Sequence, residues 1–218
     1  MFVGHLAVAL SAKKLDGRLP LPVATAASFG IDLLWPLLLL AGIETVRVDP
    51  GNTAFTPLSF ESYPWSHSLV MTVVWGAMAG ALATFLLQSK RLGLIVMALV
   101  ASHWFLDLLT HRPDLPLWPG GTKLGLGLWN SIPATMLLEG GMLLGALAIY
   151  LRTTQPKDRV GSWALWALLL LTGGIWASQP WAAPPPGASA VAVVGLAMWI
   201  LPFWAGWIER HRSLEKPA

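Results

Sequence analysis

From residue 160 to residue 208 the chain carries no Asp, Glu, Lys or Arg. A run of that kind belongs in a bilayer, where apolar side chains need no polar surface around them. It is too long for one crossing, and Pro184, Pro185, Pro186 and Gly187 divide it into two. The rest of the chain repeats the pattern. Apolar segments lie at about 2–15, 22–43, 66–88, 92–111, 132–151, 161–178 and 188–208. Most have about the 20 residues that a helix needs to span hydrocarbon. The first is short and is expected to reach only part way, or to start in the headgroup layer. The fold expected is all-α: a polytopic membrane helix bundle of six to seven transmembrane helices with two ordered outward-facing loops.

Composition agrees. Only 11% of the 218 residues are charged and 55% are hydrophobic, whereas soluble domains run near 25% charged. This excludes an ordinary cytosolic enzyme and a disordered chain. The absence of cysteine excludes disulfides, iron–sulfur clusters and thiolate metal sites, so any metal must use His, Asp, Glu or backbone. The net charge of +3 is no nucleic-acid signal, because the positive residues sit in short loops between apolar runs. The uncharged stretch Met1–Ala12 precedes Lys13 and Lys14, the reverse of a secretory signal, and is expected to stay in the mature protein.

The basic residues also orient the chain. Lys13, Lys14, Arg18, Lys90, Arg91, Arg152, Lys157, Arg159, Arg210, Arg212 and Lys216 fall on one side, and Arg47, Arg112 and Lys123 on the other. The richer side is expected to be cytoplasmic, with the N-terminus outside and the C-terminus inside. The organisation expected is a bundle over 1–151, a cytoplasmic linker over 152–160, a helical hairpin over 161–208 and a basic cytoplasmic tail over 209–218. The long loops 44–65 and 112–131 both fall outside. Trp65, Trp118 and Trp129 suit an interface belt, and Asp49-Pro50-Gly51-Asn52 and Pro119-Gly120-Gly121 are turn sequences. Gly76, Gly80 and Ala83 read as helix-packing positions.

Ionisable residues at membrane depth are costly and therefore point to function. Asp32, Asp107 and Glu139 lie within spans, with His5, His67, His103 and His111 in spans or at their ends. All seven can share one outward-facing layer. His103, Asp107 and His111 are four apart, hence a stripe on one helix face. A His and an Asp at that spacing can ligate one metal, and imidazole with carboxylate suits zinc, manganese or iron. A hydrogen-bonded Asp–His structural network is the competing reading. His211, between Arg210 and Arg212, reads as a surface residue.

The pattern of Gly4-His5, an Asp at 32, Ser66-His67-Ser68 and His103-x3-Asp107 resembles the inner-membrane metal-dependent hydrolase superfamily, which also carries the label domain of unknown function 457. It is similar in particular to bacterial multi-pass proteins sometimes called permeases, through Asp32-Leu33-Leu34-Trp35-Pro36, Ser102-His103-Trp104-Phe105-Leu106-Asp107 and His111-Arg112-Pro113-Asp114-Leu115-Pro116. The resemblance covers about residues 1–150, and 160–218 carries no motif. The family's Pro-Asp-x-Asp-His run is reduced here to Gly30-Ile31-Asp32-Leu33-Leu34-Trp35, with one carboxylate and one His fewer. Ser62-Tyr63-Pro64-Trp65 stands where the family has a basic His-Arg-Gly.

The expectation is an inner-membrane metal site. His5, Asp32, His67, His103, Asp107 and His111 are its candidate ligands, and Glu139 or Asp107 is the catalytic carboxylate. A divalent metal, zinc first with manganese or iron as alternatives, would serve hydrolysis of a lipid or other ester or phosphoester arriving from the outer leaflet. The same residues serve a transporter as an ion or proton site. A non-catalytic scaffold and a heme protein complete the alternatives.

Overall fold

Ser68, Ser89, Ser131 and Asp158 each open an apolar run. Each accepts a hydrogen bond from the backbone N–H three residues on, at 3.3, 3.4, 3.4 and 3.0 Å. These side chains satisfy donors that a helix start leaves free. The computed structural model describes residues 1–215. Lys216, which the charge count placed at the basic end, lies outside the described residues.

The helices are α1 (Phe2–Leu15), α2 (Leu21–Ser28), α3 (Gly30–Leu40), α4 (Pro64–His67), α5 (Leu69–Leu86), α6 (Lys90–Thr110), α7 (Ile132–Thr153), α8 (Arg159–Ser178), α9 (Ala188–Ala197) and α10 (Ile200–Arg210). Three small antiparallel ribbons join them: β1 (Thr45–Val48) with β2 (Leu58–Ser62), β3 (Leu115–Pro116) with β4 (Lys123–Leu124), and β5 (Thr154–Pro156) with β6 (Arg212–Leu214). The architecture is an all-α polytopic bundle. Among the described residues, α5, α6, α7, α8 and the α9–α10 pair are long and apolar enough to cross a membrane. The pair α2–α3, bent by 53°, passes the same test when taken together, as a broken span or a re-entrant loop. Phe85, Leu137, Leu170 and Phe203 lie at least 70% exposed on these helices, an apolar surface suited to lipid.

The first segment is as short as expected and lies inside the bundle. With 14 residues, α1 is too short to span hydrocarbon alone. It is wrapped by the others, and Val3, Gly4, His5, Leu6, Ala7, Ala9, Leu10 and Ala12 are all buried. A helix apolar on every side belongs inside. Lys13, read as a loop charge, is buried too. Its Nζ bonds the Gly17 and Leu19 carbonyls and Glu209 Oε1, the last at 2.8 Å.

The second segment is not one helix. It breaks at Phe29 (φ −93°, ψ 1°). The third begins with the separate turn α4, because Ser68 is extended (ψ 148°) before α5 starts. The linker 152–160 and the tail pair as β5 and β6 rather than hanging free. Helices α5 and α6 pack closely on glycine: a Cβ at Gly80 would stand 2.7 Å from the Gly93 carbonyl. Gly76 and Ala83 are buried on the same helix.

Both long loops are ordered and meet each other as a cap over one end of the bundle. Phe55 N–H donates to the Trp129 carbonyl at 3.0 Å, and Lys123 Nζ to the Glu61 carbonyl at 2.9 Å. Trp35, Val46, Tyr63, Trp104, Leu115 and Val191 form the apolar core beneath the cap.

Candidate metal centre

Six sequence-selected residues meet under the cap. His5 comes from the first turns of α1, Asp32 from the first turn of α3 and His67 from the end of α4. His103 and Asp107 share a face of α6, and His111 caps its C-terminus. The contacts run through Nε2 of every histidine. His5 Nε2 lies 3.2 Å from Asp107 Oδ1, and His103 Nε2 lies 3.2 Å from Asp107 Oδ2. His67 and His103 Nε2 stand 3.5 and 3.6 Å from Asp32 Oδ1. The His5 and His103 rings stack at 3.8 Å, within 5° of parallel.

The far side of three rings is held by partners that fix the tautomer. His103 Nδ1 is 3.0 Å from the Ser28 carbonyl, which can only accept, so the hydrogen sits on Nδ1. The break at Phe29 supplies that carbonyl: non-helical backbone at membrane depth is tolerated where a neighbouring helix satisfies it. Ser66 Oγ donates to Glu44 Oε2 at 2.6 Å and accepts from His67 Nδ1 at 2.7 Å. Glu44 also accepts the Trp65 and Ser66 backbone N–H groups, both at 2.8 Å. His111 Nδ1 donates to Asp114 Oδ1 at 3.0 Å, and the Tyr63 hydroxyl donates to the same oxygen at 3.0 Å.

The consequence is chemical. With Nδ1 carrying the hydrogen, the Nε2 lone pairs of His67, His103 and His111 turn towards two carboxylates. His103 Nε2 finds no hydrogen-bond partner despite its nearness to Asp107. Lone pairs and carboxylates converging in a buried space could hold a cation. The atoms satisfy metal spacing in two overlapping groups, His5–His103–Asp107 and Asp32–His67–His103, each with its donor atoms within 4.8 Å of one another. The donor set, imidazole and carboxylate without thiolate, fits zinc, manganese or iron. Carboxylates behind the imidazoles are the usual support of such ligands.

His111 stands at the rim: its Nε2 is 3.8 Å from Asp107 Oδ2, and it belongs to neither group. Glu139 lies apart from the cluster as well. Its Oε2 accepts the Phe2 N–H at 3.1 Å, and its Oε1 is buried without a partner. Glu139 and Asp32 line one chamber of about 130 Å³ under the cap. Asp32 is the group's opening to that chamber, with a side chain 21% exposed against 1–3% for the four clustered histidines and Asp107. The Met1 nitrogen contacts Asp107 Oδ1 at 2.5 Å. His211 pairs with Asp158 at 2.7 Å, far from the cluster in the β5–β6 region.

Glu44, Ser66, Tyr63, Ser28 and Asp114 were not singled out as support for the histidines. A loop carboxylate such as Glu44 carries no sequence signal, because charged loop residues are ordinary, and Asp114 stood in the stretch His111–Pro116 with no role attached. Burial and the Asp114 carboxylate hold the Tyr63 hydroxyl well above its usual pKa, so it remains a donor.

A family model described as YdjM inner membrane protein matches residues 55–182, more than half of the chain. The match holds His67, His103, Asp107, His111 and Glu139, and leaves His5 and Asp32 outside. It also extends past residue 160, beyond the part that carries the sequence motifs. No curated protein and no solved structure matches the chain.

Proposed function

The chain belongs to the YdjM inner membrane protein family, and within it we propose that this multi-pass protein is a metal-dependent hydrolase. The observation that carries the reading is the shared direction of the histidines, whose Nδ1 atoms are tied back while Nε2 faces Asp32 and Asp107. A structural network alone has no need to fix three tautomers towards two carboxylates. The resemblance to the metal-dependent hydrolase superfamily points the same way.

His5, Asp32, His67, His103 and Asp107 would hold the metal, zinc by preference, with His111 joining from the rim. When bound, such an ion supplies Lewis acidity and brings the pKa of water towards neutrality. Asp114, Glu44 and the Ser28 carbonyl orient the imidazoles. Glu139, with Oε1 free on the chamber wall, is placed to take a proton from water there. The cap limits bulk water at the chamber. We place the capped end outside and the basic end in the cytoplasm, by the bias of Lys and Arg, so an ester or phosphoester of a lipid reaches the site from the outer leaflet.

A transporter reading fares worse. Below the site α1 presents Leu6, Ala7, Ala9 and Leu10, all buried in apolar packing. The test is hydrolysis of short-chain phospholipids and model esters by zinc-loaded protein. Activity lost in His103→Ala and in Glu139→Gln is expected. No hydrolysis above the His103→Ala background would remove the hydrolase reading.

A further inference from the structure

The chamber beside Asp32 has its own recognition chemistry. It is walled by apolar and aromatic side chains, among them Phe55, Phe60 and Met198. Four polar atoms on its lining residues are buried and lack partners: Trp35 Nε1, Thr56 Oγ1, Trp129 Nε1 and Glu139 Oε1. Their residues are 8%, 3%, 9% and 0% exposed. Orphaned buried polar atoms are costly, and four around one cavity mark a place where a ligand completes them. The indole N–H can only donate, and the threonine hydroxyl can donate. The carboxylate oxygen accepts.

Size and charge narrow the ligand. At about 130 Å³ the chamber is well below the roughly 300–1,000 Å³ of drug-sized pockets, so it takes a headgroup and leaves acyl chains in the bilayer. No Lys or Arg lines it; Met1 does, with its ammonium already paired to Asp107, and so do two carboxylates, Asp32 and Glu139. A doubly charged phosphomonoester is therefore poorly matched. A phosphodiester carries one negative charge and two unesterified oxygens that accept from such donors. We propose that this chamber is the headgroup site of a phosphodiester lipid, with Trp35 and Thr56 binding its phosphate oxygens. The proposal rests on the metal-hydrolase reading, because the metal end must balance the phosphate charge.

The experiment is equilibrium binding to the zinc-loaded full-length protein in mild detergent. The probes are dihexanoyl phosphatidylglycerol, dihexanoyl phosphatidic acid and dihexanoylglycerol, with metal content measured on every sample. Phosphatidylglycerol is expected to bind most tightly. Its Kd rises about tenfold or more in Trp35→Phe and in Thr56→Val, with metal content unchanged in both. Thr56→Val preserves shape and settles the matter if Trp35→Phe folds poorly. Unchanged binding in Thr56→Val, equal binding of dihexanoylglycerol, or tighter binding of phosphatidic acid would overturn the proposal. Wild type that holds no metal yet binds phosphatidylglycerol through Trp35 and Thr56 would retire the metal reading and keep the headgroup site.

Discussion

Glu44 reaches the cluster through a single hydroxyl. Its carboxylate holds Ser66 Oγ at 2.6 Å, and Ser66 holds His67 Nδ1 at 2.7 Å. Asp114 does the same for His111 directly, at 3.0 Å. Removing the acceptor charge leaves the ring free to turn and its Nε2 less basic. Glu44→Gln is expected to weaken zinc binding about 10- to 100-fold, read by competition against a chromophoric chelator. Ser66→Ala should weaken it comparably, and the double variant little further, since both act along one chain of contacts. Additive losses would show that Glu44 and Ser66 act independently. Asp114→Asn probes the rim: a loss smaller than that of Glu44→Gln is expected, because His111 stands 3.8 Å from Asp107.

Helices decide how close these residues come. The α5–α6 pair meets backbone to backbone, and a Cβ at Gly80 would stand 2.9 Å from Met97 Cβ as well as 2.7 Å from the Gly93 carbonyl. Gly80→Ala is expected to destabilise by about 1–3 kcal/mol, measured by thermal unfolding in detergent. Gly141→Ala on α7 meets nothing within 4 Å, and should be neutral or stabilising by about 0.5–1 kcal/mol. Equal effects at the two positions would contradict the packing described. Sequence made some elements plain and hid others. His103 and Asp107 were legible because a helix puts positions four apart on one face. The break at Phe29 was not, since no proline marks it and the freed Ser28 carbonyl is satisfied by His103, distant in sequence. The wrapping of α1 was hidden too: its apolar residues look the same whether lipid or other helices surround them.

At the scale of the whole molecule, two ends differ in chemistry. One carries the cap, the chamber and the cluster. The other gathers Lys13, Arg18, Arg91, Lys157 and Arg212 around the β5–β6 ribbon and the helix ends. By the bias of basic residues we propose that the second end is cytoplasmic. The chain has no cysteine, so single cysteines report orientation cleanly. Ala54→Cys, exposed in the cap, should react with a membrane-impermeant maleimide from outside, while Lys157→Cys, exposed at the other end, should react only after permeabilisation. The reverse pattern would move the site to the cytoplasmic face and the lipid substrate to the inner leaflet. Most of this layout was readable from apolar runs and charge. The contact by which the two loops meet, Phe55 with Trp129, was not, because no local pattern encodes it.

The central claim is that His5, Asp32, His67, His103 and Asp107 hold a metal ion. Elemental mass spectrometry on protein purified in mild detergent without chelator tests it most directly, with His103→Ala prepared alongside, since His103 belongs to both ligand groups. Zinc, manganese or iron at about one ion or more per chain in the wild type, and its loss in a folded His103→Ala, is the result the account predicts. A wild type that binds no metal even after reconstitution would contradict it and leave a buried Asp–His network in its place.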